Sequence, residues 1–143
     1  MKIKLTDEAL IQALRDVMAR SACSWGIYNY VGDRQQIAED RYERLVDVLV
    51  PQVCYRLKGH SDAVVRARIR KLAPELGLTI SQYKKGTSIR VHATKELSQE
   101  LKMLAEKWWE LMGYCKDELR PRVAGHRLPD SEAELRSVVG GPL

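Results

Sequence analysis

Apolar positions recur along this chain at two different periods, and the change from one to the other divides it. Near the start, Leu10, Leu14, Val17 and Met18 form a stripe at helical spacing. Thr6 stands where a side-chain oxygen caps a helix, with Asp7 and Glu8 in the first turn, where carboxylates complement the dipole. This helix is expected to end near Ser21. The stretch from Cys23 to Gly32 holds Trp25, Tyr28 and Tyr30 without a clean period and reads as an aromatic-rich connection or a short helix, its rings more suited to a core than to a stacking platform. Helical spacing returns from Arg34, where Ala38, Tyr42, Leu45 and Leu49 follow alternating steps of four and three, and Ile37 and Val46 widen the face. Pro51 should stop or kink this helix, which is taken over 34–50. Because proline is tolerated in a helix's first turn, residues 51–57 are expected to form a separate short helix, closed by a turn at Gly59. Ser61 then caps a further helix over 62–73, with Pro74 and Gly77 marking its end.

From Leu78 to Ala93 the period falls to two, as in strands, around the polar centre Tyr83-Lys84-Lys85-Gly86-Thr87. Pairing Lys84 with Thr87 sets Gln82 opposite Ile89, Ile80 opposite Val91 and Leu78 opposite Ala93. That register makes one face almost wholly apolar and leaves Thr79, Ser81, Tyr83, Ser88, Arg90 and His92 on the other; a slip of one residue would mix the two. Thr94 caps a last long helix in which Leu97, Leu101, Leu104, Trp108, Leu111 and Cys115 repeat at steps of four and three. This seam suits packing along another helix: the chain's own first helices, or a second copy in a homodimer or a protein partner. After Pro121 the composition turns to Pro, Gly, Arg and Ser, apart from a short helical stretch at 131–139. The expected organisation is a single helical domain over 1–119 and an extended, irregular C-terminal tail over 120–143. The fold class is mainly α (α+β), helical with one β-hairpin.

Charge sharpens the picture at one place. Residues 56–95 hold ten basic side chains against Asp62 and Glu75, a segment charge of +8, whereas the whole chain carries +5, so the other 103 residues sum to −3. A local field of this kind attracts polyanions whatever the net charge. With successive residues 100° apart, Val65, Ile69, Leu72 and Leu76 share one arc of the 62–73 helix, and Arg66, Arg70, Lys71, Ala63 and Ala67 lie on the far side. Small neighbours let a helix approach a surface closely while long arginines reach past them.

Three helical segments followed by a hairpin, with the basic face on the helix just before it, resemble in layout the winged helix-turn-helix DNA-binding superfamily. The resemblance covers residues 34–93: 34–50 as first helix, 51–57 as second, 62–73 as recognition helix and 78–93 as wing. It implies that the recognition helix enters the major groove and that the wing touches backbone or minor groove. By position, Arg66, Arg70 and Lys71 would face the groove, Lys84, Lys85 and Arg90 would sit on the wing, and Arg68 and Lys58 would add basic charge nearby. Independently of the family, cationic groups on one rigid face neutralise phosphates and release counterions, and arginine pairs bidentately with guanine. Tyr83 and His92 are candidate stacking groups on the outward hairpin face, which would suit RNA.

Other chemistry finds little purchase. Cys23, Cys54 and Cys115 form no C-x-x-C pair, and His60, His92 and His126 no metal-ligand spacing, so neither metal nor cofactor is expected. No nucleophile elbow or phosphate-binding glycine loop occurs, and the expected role is non-enzymatic. No apolar run approaches the length of a membrane span, and the N-terminus has acids where a signal peptide needs an apolar core, so a cytoplasmic protein is expected. The expected function is nucleic-acid binding, DNA more than RNA, in transcription regulation or an accessory role of a bacterial, phage or other mobile element. The rival is an adaptor or inhibitor that docks on a protein or ribonucleoprotein through the basic hairpin and tail.

Overall fold

A computed structural model of the chain describes residues 4–29, 47–83, 88–112 and 128–140. Their order is α1 (Asp7–Asn29), β1 (Asp47–Leu49), α2 (Val50–Arg56), α3 (Asp62–Leu76), β2 (Thr79–Tyr83), β3 (Ser88–His92), α4 (Lys95–Met112) and α5 (Glu132–Gly140). The fold is mainly helical, with a small antiparallel sheet in the order β1-β3-β2.

Helix α1 starts as its capping pattern predicts, the Thr6 hydroxyl accepting the Ala9 N–H at 3.1 Å. It does not stop at Ser21 but runs on to Asn29. Ala19, Ala22 and Cys23 are buried and continue the stripe of Leu10, Leu14, Val17 and Met18. Small side chains carry too little hydrophobic contrast to extend a periodic signal, yet they are what close packing of a central helix needs.

Residues 47–49 are strand rather than the end of a helix. Val48 is buried and pairs with Val91 of β3. Pairing with β3 decides this segment, where the β-branched Val48 suits a pleated strand, and Pro51 falls in the first turn of α2, which begins at Val50. The remainder of the helix expected from 34, along with Trp25, Tyr28 and Tyr30, lies outside the described residues or side chains. The short second helix runs over Val50–Arg56, one residue from its expected place.

Helix α3 begins at Ser61, whose hydroxyl accepts the Val64 N–H at 3.2 Å, and outlasts Pro74 by two residues. Proline there forfeits a single helical hydrogen bond near the end. Termination falls to Gly77, at φ 71°, with its N–H on the Pro74 carbonyl at 3.3 Å and the Leu78 N–H on the Ala73 carbonyl at 2.9 Å. This paired closure needs left-handed backbone, which glycine adopts without strain. The hairpin has the predicted register, with Gln82 opposite Ile89 and Ile80 opposite Val91.

Helix α4 packs along α1, burying Leu101, Ala105 and Trp108. The short helix expected at 131–139 is present as α5, and the tail is not extended where it is described: α5 docks against both α1 and α4, with Leu135 fully buried. Its first turn is closed by Ser131, which accepts the Glu134 N–H at 3.0 Å, while the Glu134 carboxylate accepts the Asp130 N–H at 2.9 Å. Polar bonds set the docking angle. Arg15 of α1 donates to both carboxylate oxygens of Glu132, at 2.8 and 2.6 Å, and Arg136 donates to the same carboxylate at 2.9 Å and reaches Glu100 of α4. Glu132 is buried, and Asp16 accepts its N–H at 3.0 Å.

The hydrogen bonds from Arg15 hold the Glu132 carboxyl down to about 2, against the opposing effect of burial. Its folded-state value lies below the unfolded one, so the stabilisation is present in full above about pH 4.5 and is lost as pH falls towards 2. Glu132→Gln is expected to cost roughly 2 kcal/mol at neutral pH, allowing for solvent screening of the half-open arginines, and almost nothing near pH 2. Urea denaturation of both proteins across that range measures the difference.

Candidate nucleic-acid interface

The recognition-helix reading depends on which side chains α3 turns outward. Val65, Ile69, Leu72 and Ala73 are buried, and Val65 and Ile69 are almost completely so. The opposite face carries Ala63, Ala67, Arg70 and Lys71, all exposed, with Val64 beside them. Spacing of 63, 67, 70, 71 and 74 runs straight along the helix, so the two cations follow two alanines on one open ridge. A surface that admits close approach and then presents charge has the shape required to meet a phosphate backbone.

The other arginines of the helix go elsewhere. Arg68 donates to the Asp7 carboxylate at 2.7 Å and to the Leu5 carbonyl at 3.3 Å, tying α3 to the start of α1. Arg66 is half-buried, and its Nε is enclosed without a hydrogen-bond partner. It lies close to Cys54, whose thiol is pushed up chiefly by burial and then by the Asp62 carboxylate that accepts from it, while Arg66 opposes both. Arg66 thus belongs to the junction of α2 and α3 more than to the open ridge. Helical spacing already sets Arg70 farthest from the core arc, with Arg66 at its border and Arg68 on the core side, but it could not show that Asp7 waits beside Arg68 or that Cys54 lies beside Arg66.

On the hairpin, Arg90 occupies the centre of the sheet, opposite Ser81 on β2 and Leu49 on β1. Ile89 and Val91 are buried on one face, so Arg90 and His92 project from the other. His92 is half-buried and shares a 2.7 Å hydrogen bond with the Ser81 hydroxyl, which restrains its ring. Lys84 and Lys85 lie outside the described residues, as does the side chain of Tyr83. Strand β1, which the periodicity did not reveal, pairs with β3 and joins the hairpin to the helices. Three residues, Asp47-Val48-Leu49, are too few to carry a period of their own.

Lys58 is exposed in the turn after α2, its ammonium 4.9 Å from the centre of the Tyr55 ring. Of the apolar seam on α4, Leu101 and Trp108 are taken up by the chain's own core, Leu97 and Leu104 pack at its edge, and Leu111 is exposed. Burial raises the Cys23 thiol to about 12 and Cys54 also upward, so neither is a ready nucleophile at neutral pH. Among the described residues no group of three metal-ligating side chains comes together, and no helix is long and apolar enough to cross a membrane.

Compared with protein-family models, curated proteins and solved structures, the chain finds no match.

The division among the arginines is measurable. Arg68→Ala is expected to lower stability by up to about 1 kcal/mol, the scale of a partly exposed ion pair, while leaving polyanion binding nearly unchanged. Thermal denaturation and heparin-column retention, compared with those of Arg70→Ala, check this: Arg70→Ala should elute earlier at unaltered melting temperature.

Proposed function

We propose that this protein is a non-enzymatic, winged-helix-type DNA-binding protein that lays α3 in the major groove of a duplex and sets the β2–β3 hairpin against the adjacent backbone. The observation that carries the reading is the open ridge of Ala63, Ala67, Arg70 and Lys71 on a helix whose other side is locked into the core. Rigid presentation matters because ordering flexible cations on binding would consume affinity. The order β1, α2, α3, β2, β3 supports it further, since β1 ties the hairpin to the helices and leaves a wing with a settled direction. Arg90 adds positive charge on the outward face of that sheet. A regulatory or accessory role in a bacterial or phage system fits a small unit whose outward ridge offers cations and no reacting group.

Binding should be sensitive to salt, with log K falling by about 0.9 per phosphate neutralised for each unit of log salt. Arg70→Ala combined with Lys71→Ala is expected to weaken duplex binding by roughly tenfold or more at low salt and to flatten that slope, with the circular dichroism spectrum unchanged. Fluorescence anisotropy of a labelled duplex over a salt series tests it, with single-stranded RNA of equal length as competitor. Unaltered mobility of every duplex at low salt would overturn the reading, and preferential binding of the RNA would move it to single strands.

A further inference from the structure

A second surface, built from different residues, has its own chemistry. An open concavity of about 1060 Å³ lies between the second half of α1 and the outer side of α2. One wall is formed by Val17 and Arg20 with Leu128 and Asp130, the other by Tyr55, Arg56 and Lys58. The walls differ in charge. Arg20 is neutralised by Asp130 at 2.9 Å and also donates to the Leu128 carbonyl at 3.4 Å. Arg56 and Lys58 have no carboxylate partner among the described residues.

Tyr55 is 72% exposed, more than any other large apolar or aromatic side chain described. Its neighbours Val53 and Cys54 are buried, so α2 is firmly seated and Tyr55 points away from the core. The Lys58 ammonium lies over its ring. A fixed helix that offers an uncovered tyrosine between two cations, beside the half-buried Leu128, has the composition of a protein-binding hot spot.

We propose that this concavity docks an acidic peptide segment of a protein partner, one in which an apolar or aromatic anchor is flanked by Asp or Glu. The anchor covers Tyr55 and the half-buried Leu128, and the flanking carboxylates pair with Arg56 and Lys58. Charge complementarity favours this occupant over nucleic acid. A polyphosphate carries charge along its whole length and would run from the Arg56–Lys58 wall onto the Asp130 wall, whereas a peptide can confine its carboxylates to the cationic wall and lay an apolar residue on Tyr55 and Leu128. A peptide with an apolar centre and acidic flanks satisfies both walls. The site shares no residue with the α3 ridge, so it stands or falls apart from DNA binding.

The test uses the full chain and a fluorescein-labelled synthetic peptide with a Leu-Trp pair between runs of glutamate. Its controls are the same peptide with alanines at the pair, and a single-stranded oligonucleotide of similar charge. The anchored peptide is expected to bind, and its alanine form to bind roughly tenfold more weakly. Tyr55→Ala, which removes an exposed side chain and leaves the core intact, should reduce affinity about tenfold, and Arg56→Glu with Lys58→Glu further still. Arg70→Ala with Lys71→Ala should leave peptide binding unchanged, while duplex binding in turn survives Tyr55→Ala. The proposal is overturned if the anchored peptide fails to bind, if its alanine form binds equally well, or if the oligonucleotide binds more tightly and is lost in the same variants. It is also overturned if sedimentation shows self-association that Tyr55→Ala abolishes, since the occupant is then a second copy of the chain.

Discussion

Every part of this protein leans on the need of α1 to bury more than one face. Leu10, Leu14, Val17, Met18, Ala22 and Cys23 are all removed from water, an arc too broad for a single neighbour to cover. Helices α4 and α5 take one side, and β1 and α2 approach the other. The apolar strip common to these contacts places Trp108, Leu135, Val48 and Val53 in one core cluster. An amphipathic surface helix would have allowed a looser arrangement; a helix buried this widely holds its neighbours in fixed relation.

Polar bonds then decide angles that apolar contact leaves free. The Glu132 carboxylate is shared by Arg15 and Arg136, and Arg136 also reaches Glu100, so α1, α4 and α5 meet in one ionic cluster. Such a cluster adds modest net stability but penalises any other docking of α5, which would strand a buried carboxylate. Arg68 does the equivalent for α3, holding it to Asp7 at the entrance of α1. The two devices engage α1 about two turns apart, at Arg15 and at Asp7. The contact of Arg68 with Asp7 is the one that orients α3, which presents the open cationic ridge.

Arg66, Arg68 and Arg70 show how far charge in a sequence can mislead. They alternate along a single helix and are identical in composition, yet one is half-buried beside Cys54, one is ion-paired to another helix, and one faces solvent. A summed segment charge counts them equally. Field at a surface depends most on those left without a local counter-charge, so the basic region contracts to Arg70 and Lys71 on α3, with Lys58 in the turn. Lys58 leads to the second surface: beside Tyr55 it belongs to a concavity whose other wall comes from Val17 and Arg20 on α1 and from Leu128 and Asp130.

Local signals along the chain were enough for the elements whose start, stop and burial are encoded within a few residues. Thr6, Ser61 and Thr94 each cap the helix that follows, Gly77 ends α3, and strict alternation of apolar residues sets the hairpin register. These outcomes rest on hydrogen bonds and side-chain periods that act over one or two turns. Tertiary structure alone decided the rest. It carried α1 past Ser21, drew residues 47–49 into the sheet through Val91, and folded the tail back through Glu132 onto Arg15. It also chose which arginines stay in solvent. Each of these depends on a partner distant in sequence, and the free energy of a buried pair or a strand bond exists only once that partner has been brought within reach.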